Sequence, residues 1–212
     1  MKKTNKDIKS LYIHIPFCEK ICDYCDFTKL QYFRIFATKY LKALKEELNS
    51  YHIKNKLETI YIGGGTPTAL EDDLFLELLK IVDTYYQNDI EYTIEANPES
   101  LSKEKLLMMK EHHVNRLSIG VESTDDKILK IINRNHSFEQ VKKVIKEAQE
   151  IGFDNINVDL ILGLPNVVAP MLIKDIKNSE TNSENAIMYE YFNDSKYDFK
   201  GKLGFIKTKL NC

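Results

Sequence analysis

The sequence has no surplus of one charge sign, no long apolar run and little cysteine, and each shortage excludes something. Lysine and arginine total 30 against 32 aspartates and glutamates, a net charge of −2 over 212 residues. No field of one sign steers such a chain toward nucleic acid, so no nucleic-acid partner is expected. The charged start MKKTNKDIKS leads into only about half a dozen apolar residues before Cys18. That run is too short for the apolar region of a signal peptide or for a membrane span, and a cytoplasmic location is expected. There are four cysteines, and three of them, Cys18, Cys22 and Cys25, fall within eight residues. In a reducing compartment these read as metal ligands or reactive thiols rather than as a disulfide framework.

What is present is enough for a core, with 43% hydrophobic residues. Five short apolar runs read as strands: Ser10–Pro16, Glu58–Gly64, Glu91–Ala96, Arg116–Glu122 and Asn155–Leu162. Helical periodicity lies between them, with Ala37, Leu41, Leu44 and Leu48 on one face and Val141, Val144, Ile145 and Ala148 on another. The second of these helices is predicted to open on a capping box, Ser137 with Gln140, and to end at Gly152. Strand and helix in alternation predict an α/β fold with a parallel sheet, either open or barrel-like.

Each predicted strand has one apolar face and one polar or small face. The polar faces carry Tyr12 and His14, Tyr61 and Gly63, Thr93, Glu95 and Asn97, Ser118, Gly120 and Glu122, and Asn157 and Asp159. A polar face repeated on every strand suggests a shared interior that holds a ligand, and in barrels of this kind ligands sit at the C-terminal strand ends. Glu95 and Asp159 have a competing reading as structural carboxylates paired with lysine or arginine.

The cysteines form C-x3-C-x2-C directly after the first strand. Thiolate sulfur suits zinc and iron-sulfur clusters alike. A structural zinc wants four ligands, and the remaining thiol, Cys212, ends the chain. His14 is a candidate fourth ligand, but it lies along the strand face with Tyr12. A [4Fe-4S] cluster takes one ligand per iron, so three cysteines leave one iron open to a substrate or cofactor.

The segments LYIHIPFCEKICDYCDF, IYIGGGTPTAL, IEANPES, RLSIGVES, RNHS and NVDLILGLP resemble, in order and spacing, the oxygen-independent coproporphyrinogen III oxidase-like family of the radical S-adenosylmethionine (SAM) superfamily. The likeness covers about residues 10–165 and is greatest to the heme-chaperone (HemW-type) branch, because Asp26 stands where the oxidases usually carry a further cysteine. The resemblance implies a partial (β/α) barrel of the radical SAM type, with Cys18, Cys22 and Cys25 holding a [4Fe-4S] cluster and SAM at its open iron. It implies heme as cargo passed to acceptor proteins, with an electron donor as a further partner. The alternatives are radical-mediated oxidative decarboxylation of coproporphyrinogen III to protoporphyrinogen IX, or a fragment without function.

The resemblance also assigns site residues. Tyr12 matches a tyrosine beside SAM, and the Gly63-Gly64-Gly65 turn matches a contact with its methionine end. Glu95, Arg134 and Asp159 match positions that hydrogen-bond SAM, while Tyr24, Gly64, Gly65 and Thr66 match positions linked in some members to a second SAM. Glu122 stands where the family commonly has glutamine, and an acid in place of an amide is expected to weaken or retune SAM binding. His112 and His113 are expected to be solvated residues near a helix end. Residues 1–166 are expected to form the core and 167–212 an atypical tail, as from a truncation or frameshift. Five of six strands would leave an open edge, and a short helix is the most expected of MLIKDIKNSE.

Overall fold

The computed structural model describes residues 8–51, 53, 56–162, 164, 186–190 and 204–206. Gly163, Pro165, the helix expected in MLIKDIKNSE and Cys212 lie outside the described residues.

The main sheet is built from β1 (Ser10–Ile15), β4 (Thr59–Gly64), β5 (Glu91–Ala96), β6 (Arg116–Glu122) and β7 (Asn155–Leu162), adjacent in that order and all parallel. Two short strands, β2 (Phe17–Cys18) and β3 (Leu30–Gln31), form a separate parallel pair that closes the cysteine loop. The crossovers are α1 (Arg34–Ser50), α2 (Asp72–Asp83), α3 (Lys103–Glu111) and, between β6 and β7, α4 (Asp126–Ile131) and α5 (Phe138–Ile151).

One face of the sheet supplies the core. Ile13, Ile15, Ile60, Ile62, Ile94, Leu117, Ile119 and Val158 are buried against Leu41, Leu44, Leu78, Leu106 and Val144 of the helices. Burying such side chains stabilises by about 1.5–3 kcal/mol each. The opposite face keeps the polar residues, and the register sets them in rows: Tyr12 beside Tyr61 beside Thr93, and Glu95 beside Ser118 beside Asn157.

Helix α5 begins and ends as its sequence dictates. Ser137 Oγ accepts from Gln140 N at 3.3 Å, and Gly152 takes φ +97°, the left-handed conformation that suits glycine. The expected capping box is only half made, because the Gln140 amide donates to Pro98 O at 3.3 Å instead.

Two expectations change. His112 and His113 are not simply solvated: His112 Nδ1 lies 2.5 Å from Asp83 Oδ2, and His113 stacks on Tyr86 with ring centroids 4.1 Å apart. Together they tie the end of α3 to the end of α2. The edge expected to stay open at β7 is paired: β8 (Ala186–Glu190) adds in parallel, and β9 (Gly204–Ile206) adds antiparallel to β8. An extended segment far along the chain can satisfy the unpaired N–H and C=O groups of an edge strand, and local sequence does not announce that pairing. The sheet is accordingly seven strands wide.

Candidate functional site

Cys18 ends β2, and Cys22 and Cys25 follow on the loop to β3. All three are free thiols, Cys18 buried and the other two half-buried. The loop is fixed at both ends. Leu30 N donates to Pro16 O at 2.6 Å and Tyr32 N to Cys18 O at 2.8 Å, while the Lys29 ammonium binds Cys25 O. Across the sheet, Asn133 Nδ2 reaches Ile21 O and Asp23 Oδ1, both at 3.3 Å, and Lys20 Nζ reaches Asn135 Oδ1 at 2.8 Å. The loop therefore rests on the segment that carries Arg134.

The glycine turn after β4 faces this loop. Gly65 N donates to Ile15 O at 2.8 Å, and a Cβ on Gly65 would lie 2.8 Å from Phe17 O and 2.9 Å from Ile15 O. Backbone cannot swing aside as a side chain can. Gly65→Ala is expected to destabilise the chain by about 1–3 kcal/mol and to lower Tm by about 2–4 °C for each of them. Thermal denaturation followed by circular dichroism measures it, and an unchanged Tm would contradict the close packing of turn on loop. Gly64 has φ +113°, and its N–H donates to Glu95 Oε2 at 2.9 Å.

Glu95 is held on its other oxygen by Tyr61 Oη at 2.6 Å. Tyr12, 58% exposed, lies on the same face with its hydroxyl 3.1 Å from His14 Nδ1. Asp159 accepts from Ser118 Oγ at 3.2 Å and Asn157 Nδ2 at 2.8 Å. Burial, with Glu122 and Glu95 nearby, nevertheless pushes its carboxyl up to about 8.

Arg134 is the buried cation of this interior. Its Nη2 donates to Gly120 O at 2.7 Å and Asn97 Oδ1 at 3.0 Å, and its Nη1 to Cys22 Sγ at 3.6 Å. Glu122 Oε1 stands 3.8 Å away. Burial lowers the guanidinium's pKa, but Glu122 and the other acids around it outweigh that and hold it above the ordinary value. Glu122, at φ +65° on a register shift of β6, is buried, which raises its carboxyl; Arg134 and a hydrogen bond from Tyr24 oppose that. Arg134 and Tyr24 are thus the groups that meet the acid at this position. Tyr24 packs against a small apolar cluster of Ile128, Leu129, Ile132, Ile161 and Leu164.

The structure brings Cys18, Cys22, Thr66, Arg134, Glu122 and Tyr24 into one contact network, and Gly64 and Glu95 into a second. Thr66 is buried, and its hydroxyl donates to Cys18 Sγ at 3.6 Å. Two residues without an assigned role join these: Asn97 links Thr66 to Arg134, and His136, in the RNHS segment, has its Nδ1 3.2 Å from Glu99 Oε2. Asn97 is legible as a polar-face residue at a strand end and His136 as part of the RNHS segment, but the partners they meet are not.

This donor set fits an iron-sulfur cluster and a charged cofactor. Three free thiols lie near enough for Cys22 and Cys25 both to act on the Cys18 charge, yet among the described residues no three His, Cys, Asp or Glu side chains form a single-ion site. A cubane spreads its ligands over several irons and does not require them to converge on one point. Arg134, which reaches Cys22, keeps its Nε buried without a hydrogen-bond partner among the described residues, and so does Asn157 its Oδ1 on β7.

Comparison with known proteins agrees with this geometry. The profile of the Radical SAM superfamily matches residues 12–176. The heme chaperone HemW of Bacillus subtilis is 44% identical over 164 residues, 74% of this chain and 43% of that protein. HemW of Lactococcus lactis is 39% identical, covering 79% and 45% respectively. The oxygen-independent coproporphyrinogen III oxidase of Escherichia coli is 31% identical over 86% of this chain and 41% of its own. The solved structure of that oxidase, HemN, described as a radical SAM enzyme, superposes with a TM-score of 0.81 over 88% of this chain and 45% of that one, at 30% identity. The chain thus spans less than half the length of these relatives. Its α/β sheet with flanking helices is the partial barrel of that fold, and SAM and a [4Fe-4S] cluster are the cofactors the family implies. The chain belongs to the radical SAM superfamily.

Proposed function

We propose that this chain is the [4Fe-4S]- and SAM-binding core of a heme chaperone, which binds heme and passes it to acceptor proteins in the cytoplasm. The observation that carries the reading is the cysteine loop seated on the Arg134 segment, in a chain 35–44% identical to heme chaperones and 30–33% identical to the coproporphyrinogen III oxidases it matches. Cys18, Cys22 and Cys25 would hold the cluster, and the site lies within residues 1–166, the proposed core. Tyr12, Gly64, Glu95, Arg134 and Asp159 would surround SAM, with Tyr24, Gly65, Thr66 and Glu122 behind them. When bound, these cofactors supply one-electron chemistry from the cluster to SAM, for which an external electron donor is required. The protein's own contribution is to enclose a cationic cofactor between carboxylates and to hold a guanidinium for an anionic group.

A second reading, coproporphyrinogen III oxidase, is favoured by the HemN superposition. Anaerobically reconstituted protein separates the two. Heme titration is expected to give a saturable Soret band, and incubation with coproporphyrinogen III, SAM and reductant to leave the substrate unchanged. Protoporphyrinogen formation without heme binding would overturn the chaperone reading in favour of the oxidase.

A further inference from the structure

We infer that Asn97 is a positioning residue for the cluster ligands, orienting Thr66 and Arg134 so that each donates a hydrogen bond to a different thiolate, Cys18 or Cys22. The inference rests on those cysteines holding the cluster.

The bonds around Asn97 allow one arrangement. Arg134 Nη2 can only donate, so the Asn97 atom 3.0 Å from it must be the carbonyl oxygen. The amide nitrogen then faces Thr66 Oγ1 at 3.1 Å and donates to it. Thr66 has one hydroxyl hydrogen. With its oxygen already accepting from Asn97, that hydrogen is left for Cys18 Sγ, 3.6 Å away and buried. The other side of Asn97 works in the same way: by accepting from Nη2 it helps hold the guanidinium in the orientation that places Nη1 3.6 Å from Cys22 Sγ. Gly120 leaves the space, since a Cβ there would lie 3.1 Å from both Asn97 Oδ1 and Arg134 Nη2. The residue itself is anchored by Thr68, whose Oγ1 accepts from Asn97 N at 3.4 Å.

Hydrogen bonds to cluster sulfurs draw negative charge off the ligand and favour the reduced, more negative state, raising the reduction potential. Loss of the Thr66 donor therefore lowers it. An aspartate at 97 keeps the acceptor for Arg134 but cannot donate to Thr66. It accepts the threonine hydrogen instead and takes it away from Cys18.

The test is a dithionite titration of the reconstituted 212-residue chain with redox mediators, read by electron paramagnetic resonance, with iron and sulfide assayed in every variant. Thr66→Val is expected to raise the oxidised-to-reduced ratio at fixed potential by about tenfold, equivalent to a fall of about 59 mV for one electron. Thr66→Ser, which keeps the hydroxyl, is expected to restore the parent potential. Asn97→Asp adds a negative charge as well as turning the hydroxyl, so the decisive comparison is Asn97→Asp with and without Thr66→Val: a smaller shift in the valine background is expected. Additive shifts, or a loaded Thr66→Val cluster at the parent potential, would overturn the inference and leave the cluster reading intact. Failure of the unsubstituted chain to take up iron and sulfide would overturn both.

Discussion

Replacing Cys18, Cys22 or Cys25 singly by serine is expected to cut iron and sulfide from about four of each per chain to less than about one. The three thiols occupy one short loop whose backbone is already fixed by β2, β3 and the Asn133–Asn135 segment. Removing one sulfur therefore leaves two ligands that cannot regroup around a smaller site. The fold is expected to persist, because serine is close to isosteric and none of the three cysteines belongs to the main hydrophobic core cluster. Far-ultraviolet circular dichroism checks the fold, and chemical analysis after anaerobic reconstitution checks the cluster. Retention of four irons in any one variant would remove that cysteine from the ligand set.

The second large effect is a dependence of stability on pH centred on Asp159. Its carboxyl is pushed up from the ordinary 3.8 to about 8, first by burial and then by Glu122 and Glu95. Between those two pH values the folded chain holds a proton that the unfolded chain has released, so its contribution to stability is fully present below about pH 3.8. That contribution is lost as pH rises through about 8. At about 1.36 kcal/mol per pH unit the loss reaches on the order of 5 kcal/mol. Asp159→Asn keeps the shape and has no proton to release. Urea denaturation at pH 5 and pH 8.5 is expected to show the parent losing several kcal/mol relative to Asp159→Asn across that interval. Glu122→Gln removes one of the charges acting on Asp159 and is expected to shift the transition to lower pH. Parallel curves for parent and Asp159→Asn would show that Asp159 ionises freely in the fold.

A cationic ligand reverses this cost. Glu95, Glu122 and Asp159 surround an interior in which Arg134 is the buried cation, and the sulfonium and ammonium groups of SAM favour ionised carboxylates. On the proposed function, the acids that make the fold sensitive to alkali are the ones that would hold the cofactor.

The strands and their polar face were legible in the sequence because both follow from local periodicity. β5, β6 and β7 begin and end where the apolar runs do, and Ser137 and Gly152 mark the ends of α5. The cysteine spacing made the loop legible as well. What could not be read were the links made across long sequence separations. Asn97 meets Arg134 across 37 residues, and Asn133 meets Asp23 across 110. The pairing of Ala186–Glu190 with β7 belongs to the same class, since an edge strand takes its partner by backbone hydrogen bonds that carry almost no side-chain signature. Glu122 belongs to the same class: its substitution for the usual amide is visible in the sequence, but its neighbours Arg134 and Tyr24 are not.

The central claim, that these three thiols hold a cluster with an iron open to SAM, is tested most directly by the low-temperature electron paramagnetic resonance spectrum of the reduced, reconstituted protein with and without SAM. The expected result is a [4Fe-4S] signal whose g-values and line shape change when SAM is added. An unchanged spectrum in folded, cluster-loaded protein, or stoichiometric zinc without sulfide, would contradict it.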